Sequence, residues 1–249
     1  MLEAGAWGLL GASSLLVGAL IGTGRRAIPT RALGLILGFG AGTLLSAVAF
    51  ELTEDAYILG GADAAALGLA AGALAYFAGD QAIARRGGES RMSPHRRRRE
   101  GPPQGADSAA ALLLGAVLDG IPESVVIGIS LLGGQRVSVA VLGAVFLSNL
   151  PEAIGSSAGM RKEGIARRHI LLIWLLVVLA SGAAAALGYG LLKGASDNTV
   201  ALIEAFAGGA VLTMLVDVMI PQARKDGGLP VGLATVLGFA LAYLLSTLE

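Results

Sequence analysis

Apolar and small residues run along this chain in long blocks, with the charged residues gathered mostly in the gaps between them. A helix needs about 20 predominantly apolar residues to cross the hydrocarbon core of a bilayer. Eight blocks approach that length: residues 6–21, 32–52, 62–78, 109–132, 137–159, 170–192, 199–220 and 229–248. The pattern predicts an all-α integral membrane protein of eight transmembrane helices, organised as one transmembrane domain over residues 1–249. The first block is preceded by Met1-Leu2-Glu3, without a basic segment, and Arg25-Arg26 follow it. It therefore reads as a retained span and not as a cleaved leader.

The gaps set a direction. Those after the first, third, fifth and seventh blocks hold 16 of the 18 Lys and Arg residues; the other side has only Arg136 and Lys193. Basic residues stay on the cytoplasmic side, so both termini are expected outside the cytoplasm and the chain in the cell (inner) membrane. Residues 81–107 form the one long gap, with seven Arg and with Pro94, Pro102 and Pro103. No apolar periodicity runs through it, so it is expected to be a cytoplasmic Arg-rich linker; a contact with anionic lipid is the alternative.

Composition sharpens the class. Hydrophobic residues make up 55% and charged residues 14% of the chain, against about 25% charged in soluble domains. The net charge is zero, which gives no bulk attraction to nucleic acid. There is no Cys, which excludes disulfides and thiolate metal sites. The 38 glycines suit helices that pack closely through small residues.

Candidate chemistry lies in two adjacent blocks. One carries Leu118-Asp119-Gly120-Ile121-Pro122-Glu123-Ser124, the next Leu147-Ser148-Asn149-Leu150-Pro151-Glu152-Ala153. An ionisable side chain at mid-bilayer costs about 2.5–3.5 kcal/mol or more and usually marks an ion or substrate path. Asp119 and Glu123 are spaced to share one helix face, as are Ser148 and Glu152. Each Glu follows a proline, which frees the carbonyl four residues back, that of Leu118 or Leu147. Freed carbonyls are tolerated in a membrane only against protein or a wet cavity. Three carboxylates, the Asn149 amide and the Ser148 hydroxyl around one point would need a cation or protons to offset their repulsion. The competing reading is three protonated packing residues, which their combined cost disfavours.

Other acids and small polar residues follow the same line. Glu51, Glu54 and Asp55 lie at the outer end of the second block, and Asp63 begins the third. They suit a cation-attracting mouth or an ordinary interfacial cluster. Ser46 and Thr43 sit on the second block, Asp217 near the inner end of the seventh as an exit relay, and Asp80 closes the third as an interfacial charge. A weak repeat relates Phe39-Gly40-Ala41-Gly42 to Phe206-Ala207-Gly208-Gly209. Their blocks run in opposite directions, which suits an inverted repeat of spans 1–3 and 6–8 around spans 4 and 5; convergence on glycine is the rival.

The Pro-Glu pairs in spans 4 and 5, the eight spans and the long gap after the third resemble the ZIP family of divalent-metal transporters, whose motifs there have the form His-Asn-x-Pro-Glu-Gly. The resemblance covers nearly the whole chain. It implies a 3+2+3 bundle, a metal site halfway across the membrane, and a homodimer. Glu123 and Glu152 stand where the family has its two Glu ligands. Asp119 takes the place of a His, Gly120 replaces the Asn, Ser148 replaces a further ligand, and Asn149 is kept. Ser181 stands near where span 6 of the family often has a Glu. The implied ligands are thus Asp119, Glu123, Ser148, Asn149 and Glu152, around a single ion. The family points to zinc; an oxygen-only set, with His95 and His169 both near cytoplasmic gaps, also suits Mn²⁺ or Fe²⁺. The ion is cargo, and no resident cofactor and no enzymatic activity are expected. The other readings are a non-transporting relative with a sensing or structural role, and a transporter of another cation or of protons.

Overall fold

The computed structural model describes residues 1–24, 28–85, 123–125, 127–131, 139–162 and 164–247. Among these the chain is helical, joined by short turns. The helices are α1 (Leu2–Gly22), α2 (Thr30–Ala47), α3 (Glu54–Arg85), α4 (Val139–Lys162), α5 (Arg167–Leu192), α6 (Asp197–Met214), α7 (Ile220–Gly227) and α8 (Val231–Ser246). A π-helical turn, Val48–Thr53, joins α2 to α3, and another, Leu215–Met219, joins α6 to α7. Of the block 109–132, the described helical residues are 123–125 and 127–129. The gap 81–107 is described only as far as Arg85, at the end of α3; the linker expectation for its remainder lies outside the described residues.

Four described stretches are long and apolar enough to cross a membrane: Leu2–Gly22, Thr30–Ala82, Arg167–Leu192 and Asp197–Gly227. The protein is an integral membrane protein with an all-helical described structure. Thr30–Ala82 is 53 residues long, which as one straight helix would reach about 80 Å, well over twice the hydrocarbon thickness. It reverses at Gly61, whose φ of 76° and ψ of −178° break the helix. That positive φ is open to glycine and costly for a residue with a Cβ. Helix therefore continues past residue 52, and Glu51, Glu54 and Asp55 lie on it.

Sequence also sets other boundaries. Ser196 caps α6, its hydroxyl accepting from the Thr199 N–H at 3.3 Å. Gly228 ends α7 with a φ of 74°. Pro29 and Pro230 stand immediately before α2 and α8, where a missing N–H costs nothing.

Small residues let the backbones meet. Gly42 lies against the Thr235 carbonyl and Gly238 against that of Phe39, closing α2 on α8. Gly72 lies against the Phe206 carbonyl and Gly209 against that of Leu69, closing α3 on α6. A methyl at any of these positions would collide with main chain. The helix α4 touches α1, α2, α5 and α8 and so runs through the middle of this group. Its Leu150 carbonyl would stand 2.6 Å from a Cβ at Gly18, and its Leu147 carbonyl 3.1 Å from one at Gly40. The carbonyl that Pro151 strips of its helical partner is therefore covered by protein, on the glycine face of α2. Trp174, 1% exposed, donates its Nε1–H to the Ser157 hydroxyl at 2.8 Å and ties α5 to α4. Such a bond contributes about 1 kcal/mol net.

Candidate metal-ion site

Glu123 is 3% exposed and lies in the wall of a small cavity in the helix group. The other described residues of the wall are apolar: Leu44, Ala47, Val48 and Leu52 from α2 and its π turn, Val141 and Val145 from α4, and Val211 from α6. A carboxylate among such side chains meets a low dielectric, which strengthens its pull on any cation and raises the cost of leaving it charged and uncompensated.

The helix face that carries Val141 and Val145 continues along α4 beyond the cavity wall. Val141, Val145, Ser148 and Glu152 follow one another at spacings of four, three and four, which places them on one helix face. Ser148 is buried, and its hydroxyl donates to the Val145 carbonyl at 3.0 Å. Asn149 and Pro151 are buried and Glu152 is half-buried. The face that begins in the cavity wall at Val141 thus ends at Glu152, about two turns past Val145. Glu123 and Glu152 both engage other groups, as do Glu51 and Asp80. Asp119 lies outside the described residues. Among the described residues no three His, Asp or Glu side chains converge on one point.

The other expected positions separate. Ser46 is buried beside Ala47 of the cavity wall. Glu51 is half-buried in the first π turn, next to Leu52 of the wall, and Glu54 is exposed one residue beyond the turn. Asp217 is half-buried in the second π turn. Ser181 is buried on α5, where its carbonyl would stand 3.2 Å from a Cβ at Gly8 of α1, and it is not among the cavity-lining residues. Thr43 donates its hydroxyl to the Gly40 carbonyl at 2.8 Å. Asp80, expected as an interfacial charge, lies on α3 and is 3% exposed. Sequence reasoning passed over Glu204. It is 8% exposed on α6, and the signal was present: a lone acid inside an apolar block.

No family model matches the chain. Two named proteins do align with it. Over 253 positions it is 29% identical to the zinc transporter ZIPB of Bordetella bronchiseptica, covering 96% of this chain and 79% of that protein. Over 152 residues it is 29% identical to the zinc transporter ZIP5 of Mus musculus, covering 59% of this chain and 28% of that protein. The chain is similar to zinc transporters of the ZIP type over nearly its whole length. The alignment with the bacterial ZIP protein takes in both Pro-Glu stretches, since it leaves out only a few per cent of the chain. The chain spans little more than a quarter of the length of the mouse protein. Both relatives are named as transporters and not as enzymes, the class that the sequence predicts.

Proposed function

We propose that the chain carries divalent metal cations, zinc foremost, across the cell membrane through a mid-membrane site that includes Glu123 and Glu152. The observation that carries this reading is Glu123, a buried carboxylate in a cavity between α2, α4 and α6 whose other described wall residues are apolar. A group so placed is costly unless neighbouring groups, a cation or a proton compensate it, and at bilayer depth it usually marks an ion path. The relatives' names, zinc transporters both, supply the cargo. Asp119, Ser148 and Asn149 complete the proposed ligand set with water. This set is oxygen-only, so Mn²⁺ and Fe²⁺ are further cargoes to be tested.

The proposed architecture is eight spans in a 3+2+3 inverted repeat within one domain, with residues 81–107 as a cytoplasmic loop and the termini outside. The pairing of α2 with α8 and of α3 with α6 supports the repeat. In both pairs a glycine of one helix meets a carbonyl of the other at Phe39 or Phe206, the residues that open the related tetrapeptides. The π turns at Val48 and Leu215 begin at the same offset from those two Phe residues. A homodimer is part of the same reading, through the resemblance alone.

The test is uptake into sealed proteoliposomes containing the purified chain, with Zn²⁺, Mn²⁺ and Fe²⁺ competing. Zinc accumulation above that of empty vesicles, reduced by the better-bound competitor, is the expected result. Absence of uptake for all three metals would leave a non-transporting ZIP relative.

A further inference from the structure

The acid that sequence reasoning passed over has a setting of its own. Glu204 is 8% exposed, and its Oε2 has no hydrogen-bond partner among the described residues. Its neighbours on α6, Ala201 and Ala205, pack against Ala56, Ala64 and Ala65 of α3. At Gly60 the two helices are so close that a Cβ would stand 2.6 Å from that of Ala201 and 3.4 Å from the Asn198 Oδ1. Asp55 immediately precedes Ala56 in this seam, is exposed, and acts electrostatically on Glu204; Glu54 acts in turn on Asp55. Exposed carboxylates therefore lead to a buried one.

The line continues inward. Val211, seven residues along α6 from Glu204, lies on the same helix face about 10 Å further on and forms part of the wall of the Glu123 cavity. Gly208 falls on that face between them. A Cβ there would meet Leu52 at 3.4 Å, and Leu52 is also a cavity-wall residue. Glycine at 208 thus adds no side chain to that face, and the side chains of Leu52 and Leu69 lie against it.

A buried carboxylate oxygen that accepts no hydrogen bond is costly when charged, unless an ion compensates it. The surrounding alanines offer no such group. We propose that Glu204, with Asp55 at its edge, forms a second divalent-cation station between the outer surface and the Glu123 cavity. This rests on the transport reading and its orientation. Two carboxylates cannot fill a coordination shell, so the ion keeps several waters there and is held weakly, as suits a station that must pass it on.

The experiment uses the full chain in proteoliposomes and in detergent, with Zn²⁺ as the probe. Initial uptake against zinc concentration is measured for the unsubstituted chain and for Glu204→Gln, Glu204→Ala and Asp55→Asn. Zinc binding is measured by calorimetric titration for these and for Glu123→Gln, with and without Glu204→Gln. Gln keeps the shape of the buried side chain, which protects folding; Ala separates charge from shape. Both substitutions at 204 are expected to raise KM about tenfold with the maximal rate within about twofold. Asp55→Asn is expected to raise KM about threefold. The Glu123→Gln protein should retain a weak zinc-binding event that Glu123→Gln/Glu204→Gln lacks. An unchanged KM with unchanged titrations at Glu204→Gln would overturn the station and make Glu204 a protonated packing residue, whatever Glu123→Gln does. Should the unsubstituted chain transport nothing, the titrations alone decide: loss of a binding event at Glu204→Gln supports the station, and no loss overturns it.

Discussion

Glu123 and Glu152 each follow a proline in a separate apolar block, and they differ in surroundings: Glu123 is buried in a cavity whose other described wall residues are apolar, Glu152 half-buried at the end of the α4 face that begins in its wall. If both act on one ion, each substitution to Gln removes a negative charge without changing shape. Removing one partner from a buried charge pair costs about 3–5 kcal/mol, which converts to a fall in zinc affinity of about 100-fold or more. Glu123→Gln and Glu152→Gln are each expected to lower initial uptake at low zinc by about that factor, with surface expression unchanged. The double substitution should add little, because the ion is already lost. Additive losses would assign the two Glu residues to separate ions. At this scale the sequence was legible where a charge stood beside a proline in an apolar block, since neither residue is expected there. The burial of Asp80 was not legible: hydropathy ends the third span at residue 78, whereas the helix continues to Arg85 with Asp80 buried on it. Glu204 lacked a proline, and its partners lie far away in sequence, so nothing local distinguished it from a chance acid.

Helices were legible from the length of the apolar blocks, and the turn at Gly61 falls one residue before the expected start of the third span. The π turns were not, because one extra residue in a turn leaves no mark on composition or periodicity. Yet the turn Val48–Thr53 fixes which way the next segment faces: Val48 and Leu52 enter the cavity wall, and Ala56 enters the α3–α6 seam. Ala49 is exposed within this turn. Deleting it should restore α-helical register and rotate the following residues by about 100°. Leu52 then leaves the cavity and Asp55 leaves its place beside Glu204. Zinc uptake is expected to fall about tenfold or more, while Ala49→Leu, which only adds apolar surface, stays within about twofold. Equal uptake by the deletion protein and the substituted one would show that the π turn sets no functional register.

For the molecule as a whole, the distribution of charge carries information that packing does not. The helix seams close on glycine and on backbone carbonyls, and they would close the same way in either orientation. Direction rests on the basic residues, 16 of 18 on one side. The same charge pattern bears on the architecture, because eight spans place both termini on one side and an odd number would not. A reporter fused after Glu249 is therefore expected to read as extracytoplasmic, and one inserted near Gly101 as cytoplasmic. Deleting residues 87–100 removes five Arg but retains Arg85 and Arg86, so the orientation should persist. Residues 87–100 offer no apolar face to bury, so insertion into the membrane should persist too. The proposed orientation bears on the chemistry too, since under it the Glu54, Asp55 and Glu204 line would face the outside and Asp217 the cytoplasm. A cytoplasmic reading at Glu249 would break the proposed eight-span arrangement, and with it the proposed inverted repeat and the mid-membrane position proposed for the Glu123 cavity.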